Sequence, residues 1–535
     1  MAAFTTIDWF VIAIYFAVLL GLVVWSTRWR QESSTDYFLA GRHLGWFVVG
    51  ASIFASNVGS EHIVGLAGAG AQSGVVFGHF ELHSWLILLL GWVFVPIYMR
   101  SRVFTMPEFL EQRFSPKARW FLSLVTLVGY VLTKVSVTVY AGGIVFQSLM
   151  GIDFWTGAFA IVVLTGIYSI VGGLRAVVYT ESLQAIVLIV GSATVTVMGL
   201  IEIGGWQALC ESVDEGHLDM FLPGDHPDYP WTGMVFAAPI IGLWYWCTDQ
   251  NIVQRVLAAR DETQARRGTI FAGYLKLLPF FIFLVPGLIA HALAKSGRLE
   301  LPQTDQAFPM LVRTLLPAGV RGLVAGGLLA ALMSSLAAVF NSCSTLFTID
   351  IYRKLRPGAS EARLVRVGRI ATGVVVIAGI LWIPLMRNIS DQLFHYLNSV
   401  QAYLAPPIAA VFFLGLFWKR VNTAGAMTVL VGGFVVGMLR LLAELNSDSL
   451  EGWVGDFAEI NFLHFCTFLF LGSLATMVGV SLLTRPPVYE RLDGLTYGTT
   501  AAPDRQRSRQ TWNRWDVAHS VVIVAVIVAV FAYFS

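Results

Sequence analysis

Apolar runs of about twenty residues recur along the whole chain, separated by short polar stretches. Fourteen such runs begin near residues 7, 45, 80, 118, 153, 177, 232, 266, 319, 363, 390, 424, 463 and 515. Each is long enough to cross roughly 30 Å of hydrocarbon as a helix. The pattern predicts an all-α polytopic membrane protein. The first run has no basic residue before Ile7, is longer than a secretion signal and lacks a small-residue cleavage site. It therefore reads as a helix of the protein. No soluble domain is left over, and the one long flexible insert is the stretch at about 485–514, beginning RPPVYERLDGL.

Composition strengthens this reading. Hydrophobic residues make up 56% of the 535, charged residues 13%, and the mean hydropathy is +0.70. A soluble domain carries about 25% charged residues. The net charge of +2 decides little, but its distribution decides orientation. With both termini outside, the inward loops hold 27 of the 35 Lys and Arg, and the outward loops hold 6. That asymmetry follows the positive-inside rule. The segment 202–231, with seven acidic residues and no Lys or Arg, then faces out. Cys210, Cys247, Cys343 and Cys466 are scattered without the spacing of a zinc site or a disulfide framework.

Against this apolar background, polar groups inside runs carry information. A charge at the centre of a membrane helix costs about 2.5–3.5 kcal/mol on insertion scales. Glu81, Lys134, Glu181, Asp249 and Lys276 all lie within runs. Each one alone is open to snorkelling or structural pairing; five on different helices point to a polar interior. His79 and His83 flank Glu81 at i and i+4 on one helical face. The spacing admits zinc, but hydrogen bonding with Glu81 or water is the preferred reading.

The stretch Ser56 to Gly70, SNVGSEHIVGLAGAG, places Asn57, Glu61 and His62 among helix-weakening glycines. Glycine-mediated helix packing explains Gly65, Gly68 and Gly70 but not the polar residues. A break around Ala55 to Gly59 would free carbonyls toward a cation, since irregular backbone at membrane depth must line a cavity or be buried in protein. The stretch 331–347 carries the adjacent hydroxyls Ser334 and Ser335. Such hydroxyls either bond back one turn along their helix or join freed carbonyls in an oxygen shell for a hard monovalent cation.

At this point the chain resembles the sodium/glucose cotransporter family of sodium/solute symporters over nearly its whole length. The matching segments include SNVGSEHIVGLAGAGAQSG, GWVFVPIY, TMPEFLEQRF, VVYTESLQ, WYWCTDQNIVQRVLAA, GYLKLLP, LMSSLAAVFNSCSTLFTIDIY and YLAPPIAAVFFLGLFWKRVNTAGA. The resemblance implies fourteen helices with a five-plus-five inverted repeat of the leucine-transporter type. Residues 1–44 are then an extra helix and first inward loop, 45–203 the first repeat, and 204–231 an outward acidic loop. The second repeat is 232–421, and 422–535 hold three further helices.

Carried over by position, the resemblance places sodium among the carbonyls of Ala55, Val58 and Ala331 and the hydroxyls of Ser334 and Ser335. It assigns sugar binding to Asn57, His62, Glu81, Trp246 and Lys276, with Tyr245 stacking beneath the sugar as an inner gate. Phe80 and Phe394 become parts of the outer gate. The chemistry suits a polyol, whose hydroxyls divide among a carboxylate, an ammonium and amides while an aromatic face covers its C–H side.

Three departures from the family pattern stand out. A sugar-binding glutamine becomes Asn398, for which Gln401 compensates three residues on. A polar residue three positions before the gating tyrosine becomes Gly242. The hydroxyls of a second sodium site, used together with an acid at the Glu181 position, are replaced by Ala337 and Ala338, which implies one sodium per substrate.

The expected function is sodium-coupled uptake of a neutral sugar or polyol, galactose or glucose ahead of myo-inositol. No cofactor beyond the coupling Na+ and no nucleic-acid partner is expected. A sodium-responsive sugar sensor or channel, and a proton-coupled symporter titrating Glu61, Glu81 or Glu181, are the alternatives. An enzyme is not expected, because no H-E-x-x-H, G-x-S-x-G or paired-aspartate motif occurs where catalysis would need it. Because 202–231 contains no Asn, the long glycosylated loop of an animal member is missing, which favours a bacterial inner (plasma) membrane.

Overall fold

The computed structural model describes residues 4–27, 33–59, 61–386, 393–444, 446 and 450–535. The side chains of residues 132, 168, 171–173, 175, 379, 382–386 and 393–396 lie outside the described set. Helices dominate, and among the described residues the only β pairing is one isolated bridge between Leu44 and Ala259.

The helices that matter here are, in chain order, α1 (Thr6–Thr27), α2 (Trp46–Asn57), α3 (Ala67–Ser73), α4 (Ser84–Leu89), α5 (Pro116–Tyr130), α6 (Ser136–Val145) and α7 (Phe154–Ile203). They continue as α8 (Trp231–Cys247), α9 (Gln250–Leu257), α10 (Glu262–Pro279), α11 (Val285–Lys295) and α12 (Val320–Thr345). After these come α13 (Glu361–Met386), α14 (Leu393–Phe417), α15 (Thr423–Glu444), α16 (Phe462–Leu483) and α17 (Arg514–Tyr533). Ten described helical stretches are long and apolar enough to cross a membrane, and three shorter apolar ones accompany them, at Trp46–Asn57, Phe154–Ile167 and Trp231–Cys247. The two runs expected to begin near 153 and 177 fall within the single assigned helix α7.

Local sequence sets these boundaries. Ser115 caps α5 by accepting from the Ala118 amide, with Pro116 in the first turn where its missing N–H costs nothing. Asp153 caps α7 and Asp261 caps α10 in the same way. The large apolar residues of α1 and α17, such as Phe10, Ile14, Val521 and Val528, remain exposed, as lipid-facing positions should.

Residues near the two ends of the chain lie on the face that carries the acidic segment. Asp8 accepts from the amides of Gly319 (2.8 Å) and Gly322 (3.0 Å) and pairs with Arg321 at 2.6 Å. The Phe534 carbonyl accepts from the Met220 amide at 2.8 Å. Lys295 pairs with Asp214, and Arg298 donates to the Glu202 carbonyl. The basic loops gather at the far end of α12, where Arg119 pairs with Asp350 at 2.6 Å and Arg113 donates to the Gly415 carbonyl at 2.7 Å. Arg321 and Asp350 are thus about 43 Å apart along one helical column at 1.5 Å per residue.

Candidate functional site

Two helices stop in the middle of the protein. At Asn57 the helix α2 ends because Val58 is extended (φ −83, ψ 96). The Val58 amide still reaches the Phe54 carbonyl at 2.7 Å, and the chain then resumes as the π-helical turn Glu61–Leu66. The last carbonyls of α2 lose the amides a continuing helix would bring them. The second break lies at Thr248–Asp249. There α8 ends, and the Asp249 carboxylate caps α9 by accepting from the Asn251 amide at 2.8 Å. Sequence reading took Asp249 as a charge inside a span; the Thr-Asp pair is in fact a helix-start signature.

Four of the five residues expected around sodium, Ala55, Val58, Ala331 and Ser335, lie at the first break, with Ser334 next to Ser335 on the same helix. Ala55 and Val58 form it and are buried. On α12, Ser334 and Ser335 are buried; among the described residues the Ser335 hydroxyl has no hydrogen-bond partner, and Ser334 has only the adjacent Glu181 carboxylate within reach. Ser342 and Thr345 on the same helix bond back to the Ala338 and Asn341 carbonyls, so the serine pair departs from the ordinary mid-helix pattern. Gly59 explains the approach: a Cβ there would strike the Ser335 Oγ and lie 3.7 Å from the Ala331 carbonyl. Ser334 sits beside Glu181, whose carboxylate is held by Arg255 at 2.8 Å and by the Ser52 hydroxyl.

Next to this break is a cavity of about 50 Å³. It is lined by every residue expected to bind sugar: Asn57, His62, Glu81, Tyr245, Trp246, Lys276, Asn398 and Gln401, with Phe80 at its edge. Five segments supply them. These are the end of α2 with the π-helical turn, the turn 78–83, the last two turns of α8, α10 and α14. The side chain of Phe394 lies outside the described residues. Lys276 Nζ is 2.6 Å from the Glu81 carboxylate and 3.2 Å from His62 Nε2, and His62 Nε2 is 3.2 Å from the same Glu81 oxygen. The ammonium also sits 5.5 Å over the Trp246 ring. Asn57 Nδ2 donates to the Tyr245 hydroxyl at 3.1 Å.

Among the described residues, three buried polar atoms around this cavity have no hydrogen-bond partner: Asn57 Oδ1, His62 Nδ1 and His83 Nε2. Each unmet group costs about 1–3 kcal/mol, which a hydroxyl-rich ligand would recover. The present volume admits a few waters, so a ring sugar enters only as the walls move apart.

Structural pairing accounts for the other deep charges. Lys134 Nζ lies 2.8 Å from Asp249, which also accepts from the Tyr130 hydroxyl. Glu181 is taken by Arg255, a residue counted by sequence with an inward loop but fully buried here. Glu61 makes no ion pair among the described residues; it lines both the main cavity and an adjoining one of about 10 Å³ that reaches Ser335.

The histidine reading needs correction. The short helix Gly78–Glu81 ends before His83, so His79 and His83 do not share a helical face. His79 Nε2 contacts the Met220 carbonyl at 3.0 Å, and neither histidine bonds Glu81, which is engaged by Lys276 and His62. His83 lines the cavity and was not among the expected binding residues; its signal was its place two residues after Glu81.

With this geometry in hand, likeness to known proteins is informative. Sodium/glucose cotransporter 1 of Oryctolagus cuniculus is 40% identical over 520 residues, covering 89% of this chain and 78% of its own length. Sodium/myo-inositol cotransporter 2 of Homo sapiens is 38% identical over 538 residues, covering 93% and 80%. In fold, the chain is similar to a Na+-coupled sialic acid symporter in a substrate-bound outward-open state, with a TM-score of 0.77 at 22% identity over 90% of this chain and 98% of that one. It is also similar to a nucleobase-cation-symport-1 family transporter in a closed conformation, with a TM-score of 0.50 at 15% identity over 90% and 99%. Residues 37–433 match the model of the sodium:solute symporter family. The chain belongs to that family, and it is a sodium/solute symporter, a transporter and not an enzyme.

Proposed function

We propose that this symporter couples inward sodium movement to uptake of a neutral sugar or polyol, one sodium per substrate, across the plasma membrane. The observation that carries the reading is one of adjacency. A cavity ringed by the Glu81–Lys276–His62 cluster and unmet polar atoms abuts a helix break faced by the Ser335 hydroxyl. In this reading the carbonyls of Ala55, Val58 and Ala331, with Ser334 and Ser335, surround sodium. Glu81 accepts from substrate hydroxyls, Lys276 donates to them, and Asn57, His62, Asn398 and Gln401 divide the rest. Trp246 and Tyr245 cover the C–H face, with Tyr245 closing the inner side and Phe80 and Phe394 the outer.

The relatives named for glucose and myo-inositol transport support this substrate class, with glucose or galactose ranked first. A single sodium agrees with the buried Ala337 and Ala338, which offer no side-chain oxygen, and with a Glu181 already engaged by Arg255 and Ser52. The five-plus-five repeat is supported by the matched breaks at Val58 and Thr248–Asp249. Outward placement of both termini is supported by the basic loops collecting on the opposite face.

Energetics bound the result. At roughly −100 mV one charge contributes about 2.3 kcal/mol, and a tenfold sodium gradient adds about 1.4. Their sum allows on the order of 500-fold accumulation. Sodium needs only to favour the outward-open arrangement that completes the sugar site. Proteoliposomes given an inward sodium gradient should accumulate labelled glucose or galactose uphill, whereas a sensor or passive channel would only equilibrate. Ser335→Ala should raise the sodium concentration for half-activation by about tenfold, the scale of one lost charge-assisted contact. Unchanged sodium activation would remove Ser335 from the ion site, and a charge-to-substrate ratio near two would contradict single-sodium coupling.

A further inference from the structure

We propose that His83 contacts the substrate directly, its imidazole filling the room left by Gly242 to form a hydroxyl-binding subsite. Gly242 lies one helical turn before Tyr245 on α8 and lines the cavity without a side chain. The space beside it is already taken. A Cβ built on Gly242 would lie 2.7 Å from His83 Nδ1 and 2.8 Å from His83 Cε1, and would also strike a Leu86 methyl. These distances are too short for any real side chain unless both His83 and the Leu86 methyl, the nearer of the two, move. The two positions are therefore alternatives: a polar side chain projects into this corner either from α8 or from the turn before α4, and in this chain it comes from the turn.

The histidine is set up for that task. It is 4% exposed, so its ring belongs to the cavity wall. Its backbone sits in the turn between Gly78–Glu81 and α4, and its carbonyl accepts from the Leu86 amide at 2.8 Å. Phe80 meets the ring edge-on, with centroids 5.9 Å apart at 67°, and Gly242 backs it. A ring so held loses little rotamer freedom when it binds. Nε2 is buried and has no partner among the described residues. A neutral imidazole offers one donor and one acceptor. A hydroxyl can be either, so an –OH satisfies the ring in both tautomers, and a deoxy position satisfies it in neither. His83 should thus make affinity depend on one particular hydroxyl of the sugar or polyol. This inference rests on the sugar or polyol reading of the cavity.

The test combines substitutions with monodeoxy sugars in sodium-driven uptake by the reconstituted full-length chain. In the unmodified protein, one monodeoxy analogue should bind about tenfold more weakly than its parent, the scale of one hydrogen bond. In His83→Ala that penalty should vanish for that analogue alone, while KM for the parent rises about tenfold and kcat holds. His83→Asn, which keeps a donor and an acceptor, should restore the penalty. Gly242→Thr should abolish uptake, and adding His83→Ala should recover part of it, the Leu86 methyl still crowding the new side chain.

Thermal unfolding of the same variants reports on the packing without any substrate. Gly242→Thr should lower Tm, and the double variant should regain part of it. An unchanged pattern of deoxy penalties in His83→Ala would overturn the subsite. If the unmodified protein accumulates no sugar or polyol at all, the functional reading falls. The Tm cycle then still decides whether the two positions exchange space.

Discussion

Ser335 and Gly59 form a residue-scale pair whose members explain each other. The hydroxyl makes no hydrogen bond among the described residues, and the backbone it faces has no side chain to hold it off. Gly59→Ala should therefore cost function without replacing any proposed ligand: its Cβ pushes Ser335 away from the break. The expected outcome is loss of sodium-stimulated uptake in a protein that still purifies as a folded species, read by paired uptake and thermal-unfolding measurements. A Gly59→Ala variant with normal sodium activation would show that the close approach is packing alone. At this scale the sequence was informative where polarity clashed with its surroundings. Asn57, His62, Glu81 and Lys276 announce themselves by lying in apolar runs, although their roles came from family resemblance. The partners of the remaining charges were not legible, because Lys134 meets Asp249 across 115 positions and Glu181 meets Arg255 across 74. His83 was hidden for another reason: its meaning depends on what Gly242 lacks, a relation between two segments that neither one reveals alone.

Breaks are the features that matter at the scale of elements. The first was legible because glycine and polar residues concentrate between Ser56 and Gly70. The second was not, because tryptophan, tyrosine and cysteine run up to Thr248 without a weak residue, and a single carboxylate performs the interruption. Asp249 has two duties there: it caps α9 through the Asn251 amide and it neutralises Lys134. The duties separate by mutation. Asp249→Asn keeps an acceptor for the cap but discards the charge, whereas Asp249→Ala discards both. Breaking a buried ion pair costs about 3–5 kcal/mol, and losing a cap about a further 1. Both variants should unfold at lower temperature than the parent, with the alanine variant lower still. Equal Tm values for the two would mean the cap adds nothing and the break is fixed by its surroundings.

For the molecule as a whole, the acidic segment is a cover seated on the transport core. The amide of Val75 donates to the His217 carbonyl at 2.8 Å, and Gly74 adopts φ +74 directly beneath the His217 backbone. Asp214 anchors the same stretch to α11 through Lys295 at 2.5 Å and His291 at 2.8 Å. Burial, together with the neighbouring His291 and Lys295, pulls His217 below the usual histidine range, against the opposing pull of Asp214. Lys295 and His291 hold Asp214 below the usual carboxylate range. The signs agree. A histidine depressed in the folded state contributes stability that is complete above about pH 6.5 and is lost as pH falls through its lowered value. The Asp214 contribution follows only below about pH 4. Backbone amides near 213–220 should therefore exchange faster with solvent deuterium at pH 5.5 than at pH 7.5, after correction for the intrinsic rate. Equal protection at both values would mean that His217 does not hold the cover down.

The orientation of that cover fixes the direction of transport, and the chain carries its own reporter for it. Cys210 lies on the helix Trp206–Ser212 and is partly exposed, whereas Cys247, Cys343 and Cys466 are buried. The basic loops collect on the opposite face, so the positive-inside rule predicts that Cys210 faces outside. Partial burial raises its thiol above the ordinary range, so less of it is thiolate near neutrality and labelling should quicken as the pH is raised toward 8.5. A membrane-impermeant maleimide should label intact cells expressing the chain, and Cys210→Ser should abolish that label while preserving uptake. Labelling that appears only after the cells are opened would invert the whole assignment. The basic loops would then face outward, the acidic cover would lie in the cytoplasm, and the break at Val58 would have to admit sodium from the other side.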